Sequence, residues 1–125
     1  MTFTERAKEL FGDFLNRFPE CSLLFLATSQ GLPLLAERAE GREEAFSAYF
    51  TSLMTQTKEV FEKLELGEPR SILLVSEKGF FNLMPLNEAL NLGIAFRGRT
   101  DYANLFHTIR GLASDLRKAY EEMGP

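Results

Sequence analysis

The chain has 125 residues, a formal charge of −4, 45% hydrophobic and 26% charged residues, and a single cysteine and histidine. This length makes one domain, residues 1–125, with one core burying roughly two thirds of its unfolded surface, and the composition is that of an ordinary soluble globular protein. The acidic balance argues against nucleic acid or an anionic membrane as the main partner, and a lone Cys21 permits neither an internal disulfide nor a thiolate metal cluster.

No run reaches the roughly 18 apolar residues of a membrane span. The N-terminal residues lack the basic-then-apolar order of a secretion signal, so the expectation is a cytoplasmic protein with Cys21 as buried filler.

Thr2 and Glu5 have capping-box spacing and open a first helix with Phe3, Ala7, Leu10, Phe11, Phe14, Leu15 and Phe18 on one face, ended by Pro19. Gly12 inside it costs about 1 kcal/mol of helix propensity and is explained only by a close contact. Residues 21–28 and 32–37 flank Ser29, Gln30 and Gly31 as a hairpin, with Gly31 at positive φ. Pro33 cannot donate to a ladder, which puts the second strand at an outer edge.

The longest helix follows over about residues 43–66, stopped by Gly67 and Pro69, with Glu43 and Glu44 at its positive end. Phe46, Tyr49, Phe50, Leu53, Val60, Phe61 and Leu64 form one apolar stripe, with Thr57 in line. Beside it Ala45, Ala48, Thr51, Ser52 and Thr55 are small and uncharged. Such a strip is either a lightly polar surface or the seat of another helix at close range.

Residues 70–97 read as a three-stranded meander. The run Ile72-Leu73-Leu74-Val75 within residues 71–76 suits a strand covered on both faces. Gly79 supplies the first turn and residues 87–89 the second, and Leu92, Ile94 and Phe96 alternate with the small Gly93 and Ala95. Residues 71–76 carry no Lys, Pro or inward charge to protect an open edge, so either more of this chain or a second copy must cover that strand. A last helix begins at Thr100 or Asp101 and runs to about residue 122. Its inward residues are Tyr102, Leu105, Phe106, Ile109, Leu112, Ala113, Leu116, Tyr120 and Met123, while Arg117 and Lys118 serve its negative end. The two apolar runs, 23–26 and 72–75, require helices on both faces of the sheet.

Catalytic chemistry has few candidates. His107 falls on the face of the last helix away from the core, without the second group that a triad needs. There is no second cysteine or His-x-x-x-His pair for a metal and no Gly-rich phosphate loop after any strand. Arg97, Gly98 and Arg99 form a basic tip that reads as a solvated loop, the sharper alternative being an arginine finger for another protein's active site. A domain without a reactive constellation acts by binding, so neither cofactor nor metal is expected.

The ordered set Gly31-Leu32-Pro33-Leu34, the long helix, SILLVSEKGFFNLMPL, LNLGIAF and then LFHTIRGLA (residues 105–113) with Leu116 resembles the Roadblock family. That family takes in the dynein light-chain Roadblock domain, bacterial gliding-motility regulators and eukaryotic lysosomal scaffolds; the likeness spans about residues 21–120. It implies an α+β fold: a five-stranded antiparallel sheet of order 2-1-5-4-3, with the long helix on one face and the terminal helices on the other. Members are similar in dimerising through the third strand and long helix to make a continuous ten-stranded sheet. Here the resemblance places Ser71, Ile72, Leu73, Leu74 and Val75 against their copies, and Ala48, Thr51, Ser52 and Thr55 against the neighbouring long helix. It further implies a homodimeric scaffold that binds a small Ras-like GTPase as activator, exchange factor or anchor, without catalytic residues of its own. Two rivals stand beside it: a monomeric sensor holding a small molecule under the long helix, and a pure dimerisation subunit of a larger complex.

Overall fold

A computed structural model of the chain describes residues 1–98 and 101–124. Its elements are α1 (Phe3–Arg17), β1 (Cys21–Thr28), β2 (Pro33–Glu37), α2 (Glu43–Lys63), β3 (Ile72–Ser76), β4 (Gly79–Pro85), β5 (Leu90–Arg97) and α3 (Tyr102–Met123). The expected capping box forms: the Thr2 hydroxyl accepts from the Glu5 N–H while the Glu5 carboxylate accepts from the Thr2 N–H, each at 3.1 Å. Both partners satisfy backbone donors that a helix start leaves open.

The strands join in the order β2-β1-β5-β4-β3, antiparallel throughout, as the resemblance implied. Strand alternation sends Leu24, Leu26, Leu92, Ile94 and Phe96 to one face, where they pack with Phe11 and Phe14 of α1 and Ile109 and Leu116 of α3. The opposite face carries Leu23, Phe25 and Ala27 against Phe46 and Phe50 of α2, and Ile72 and Leu83 against Met54.

Small residues at 93 and 95 now have a reason. Phe46 and Phe50 stack with centroids 5.7 Å apart, and Phe50 stacks on Phe81 at 4.6 Å. A Cβ on Gly93 would stand 3.3 Å from the Phe81 ring and 3.4 Å from that of Phe50. The ring ladder crosses the sheet where β5 offers no side chain.

Several expectations are corrected. Gly12 has no neighbour that a Cβ would meet within 4 Å, so no close contact inside the chain explains it. The long helix stops at Lys63 rather than residue 66, because Glu65 adopts a left-handed φ of 58° ahead of Gly67. The helix α3 runs on to Met123, which puts Arg117 more than a turn from its end; instead of serving the dipole, the Arg117 Nε donates to the Leu86 carbonyl at 2.6 Å. Met123 is exposed, not inward. Asp101 is the N-cap of α3; Thr100, its rival for that place, and Arg99 of the basic tip lie outside the described residues.

Cys21 is fully buried, its Sγ donating to the Leu23 carbonyl, and burial pushes its thiol up to about 11. After β2, Arg38 takes a left-handed φ of 69°, and its guanidinium donates to the carbonyls of Pro19 and Cys21. That clasp ties the end of the first hairpin to its beginning.

Candidate interaction surface

One edge of the sheet is β2, the other β3. Along β3 only Ile72 is buried; Leu73, Leu74 and Val75 are 41%, 48% and 59% exposed. The apolar run expected to be covered on both faces is therefore left largely uncovered within one chain. Pairing with β4 sets Ile72 opposite Leu83 and Leu74 opposite Phe81, on the α2 side, whereas Leu73 and Val75 lie opposite Asn82 and Phe80 on the other. Apolar side chains thus project from both faces of an edge whose outer backbone groups have no strand partner among the described residues.

The second half of α2 extends this surface. A helix of 21 residues is about 31 Å long, while five strands at about 4.8 Å spacing put only about 19 Å between the outer strands. Phe46 packs with Phe25 of β1 and Met54 reaches Ile72 of β3, so the helix has crossed the sheet by its middle. No α2 residue after Met54 is buried. Val60 and Leu64, expected on the inward stripe, are 52% and 61% exposed, and Tyr49 is 66% exposed. A uniform apolar stripe gives no sign of where its support ends.

The small strip divides in two. Ser47, buried, donates from its hydroxyl to the Gly31 carbonyl, and Thr51 donates to the Ser47 carbonyl at 2.8 Å. A Cβ on Gly31 would stand 2.8 Å from the Thr51 hydroxyl, so small residues here let α2 sit on the first hairpin turn. Ala48, Ser52 and Thr55 face solvent. Sequence reasoning missed Ser47, whose only signal is its spacing of one turn from Thr51.

Space beneath α2 is filled by the rings of Phe25, Phe46, Phe50 and Phe81, and the nearest groove, about 610 Å³ beside Thr51, Met54 and Lys58, is open and lined largely by polar residues. His107 is exposed, on a wide groove between α1 and α3 shared with Asp13, Arg17 and Asp115. Among the described residues no three His, Cys, Asp or Glu side chains are grouped to hold a metal ion, and no helix is long and apolar enough to cross a membrane.

No family model matches the chain, and no curated protein matches it in sequence. Solved structures match its shape. The gliding protein MglB from Thermus thermophilus overlays with a TM-score of 0.83 at 14% identity, covering 98% of this chain and 93% of that one. An MglB with a tetrameric arrangement gives 0.84 at 16% identity, with the same 98% and 93% covered. A Roadblock/LC7 domain from Streptomyces avermitilis gives 0.77 at 14%, covering 88% and 93%. Identities this low speak to the fold alone.

Proposed function

Starting from the Roadblock-type fold that this chain has, we propose that it is a non-catalytic homodimeric scaffold that binds and regulates a small Ras-like GTPase. The observation that carries the reading is the β3 edge, where three consecutive large apolar residues stand 41% to 59% exposed on a strand without a second neighbour among the described residues. Two such edges placed side by side extend one sheet through the other by main-chain hydrogen bonds, and the apolar side chains on both faces are buried together. Residues Ser71 to Val75 form the shared strand. Ala48, Ser52 and Thr55 then meet the partner's long helix at close range, with Thr51 at the margin of that contact.

Regulation follows from surface complementarity: a rigid double sheet favours one arrangement of the GTPase switch loops over another. No group of this chain is assigned a step in GTP hydrolysis.

Sedimentation across a range of concentrations tests the assembly, and a monomer at every concentration overturns it. Pull-down with GDP-loaded and GTP-loaded small GTPases tests the partner class. Capture of one nucleotide state over the other supports the reading, whereas failure with both removes the partner while leaving the dimer standing.

A further inference from the structure

A cleft of about 500 Å³ opens where the start of β3 meets α3, lined by Arg70, Ser71, Tyr102, Arg110 and Arg117 above a floor that includes Met84 and Pro85. In a chain with 18 acidic and 14 basic residues, the three charged groups that line this cleft among the described residues are all arginines. The two larger grooves mix both signs.

These arginines enter from two sides. Arg110 and Arg117 are seven residues apart on α3, two turns along one face and about 10 Å from each other along the axis; Arg70 comes from the loop before β3. The Arg117 guanidinium is fixed by its Nε bond to the Leu86 carbonyl, and Arg110 lies over the Phe106 ring at 5.3 Å. Fixing a guanidinium lowers the entropy lost when it takes a ligand.

The cleft wall is held from behind. Asn82 is completely buried, and its amide donates to the Ser71 hydroxyl at 2.7 Å and to the Ile72 carbonyl at 2.8 Å. The Tyr102 hydroxyl approaches the Asn82 carbonyl oxygen at 3.4 Å. Two hydroxyls therefore stand beside the arginines on a fixed support, and partial burial raises the Tyr102 phenol above its ordinary value.

We propose that this cleft binds a small phosphate monoester, its phosphate held by Arg70, Arg110 and Arg117 and its organic part laid on Met84, Pro85 and Phe106. Guanidinium forks match phosphate oxygens in pairs. A volume of about 500 Å³ is that of a small-molecule site, and the apolar floor selects an ester over the bare ion. This proposal does not rest on the GTPase reading; it borders the assembly at β3, since Ser71 lines the cleft and also begins the proposed shared strand.

Calorimetric titration with phenyl phosphate, inorganic phosphate and phenol tests it. Phenyl phosphate is expected to saturate one site per chain about tenfold more tightly than inorganic phosphate, phenol not at all. The double variant R70Q/R110Q should weaken phenyl phosphate by about tenfold or more, with the thermal midpoint unchanged because both side chains are exposed. R70K/R110K, keeping charge but losing the fork, should fall between. Absence of saturable phenyl phosphate binding, equal binding of phenol, or an affinity indifferent to R70Q/R110Q overturns the proposal. If the double variant unfolds, R110Q alone carries the same comparison.

Discussion

Ser47 donates its hydroxyl to the carbonyl oxygen of Gly31 at 2.5 Å, tying the long helix to the turn of the first hairpin through a side chain that is almost wholly out of solvent. Ser47→Ala leaves a carbonyl facing the helix without its partner. The expected loss is about 1 to 2 kcal/mol, read as a lower urea midpoint with an unchanged slope. A midpoint equal to that of the parent would mean that water replaces the hydroxyl at no cost.

Gly93 lies under two stacked rings, so Gly93→Ala must push Phe50 or Phe81 aside by a few tenths of an ångström. A loss of about 1 to 3 kcal/mol is expected, with a change in the near-ultraviolet circular dichroism of the phenylalanines. Adding Phe50→Leu should restore part of the loss by removing the ring's flat edge. Two independent, additive losses would show that the ladder is not the constraint.

Val75 is 59% exposed and Ile72 is 8% exposed on the same five-residue strand. Val75→Lys should change the stability of a monomer by no more than about 0.5 kcal/mol, yet shift sedimentation toward monomer by placing a charge on the proposed shared edge. Ile72→Lys should unfold the domain by burying an unpaired ammonium beside Met54 and Leu83. Unaltered assembly in the Val75 variant removes β3 from the interface.

Burial raises the Cys21 thiol from 9.0 to about 11. The folded chain therefore keeps a proton that the unfolded chain releases, and its stability is full below pH 9 and declines as pH rises towards 11. A rise of that size corresponds to about 2 to 3 kcal/mol. Unfolding free energies at pH 8 and 11 should differ by this amount more in the parent than in Cys21→Ala; parallel losses would assign the decline to other groups.

Much of the fold was legible because local signals agreed. The capping box at Thr2, the turns at Gly31 and Gly79, and the alternation of Leu92, Ile94 and Phe96 each depend on neighbours a few residues away, and each stands where it was expected. Sheet order came from motif order through a family resemblance. Pro33, which cannot donate to a ladder, marked β2 as an edge, and β2 is one. The candidate surface was half legible: an unprotected run at Ile72 to Val75 pointed to an exposed edge, but Tyr49, Val60 and Leu64 read as core because their spacing is that of core.

Sequence by itself determined the elements, their turns and the apolar faces that oblige helices to cover both sides of the sheet, since these follow from steric and hydrophobic preferences acting over a few residues. Tertiary structure alone decided which part of a continuous stripe is supported, because a helix longer than the sheet is wide runs past β3 with its apolar residues uncovered. It also decided that Arg70, Arg110 and Arg117, up to 47 positions apart in the chain (117 minus 70), share one cleft. Convergence of charge across such distances is a product of packing, to which no local pattern is sensitive.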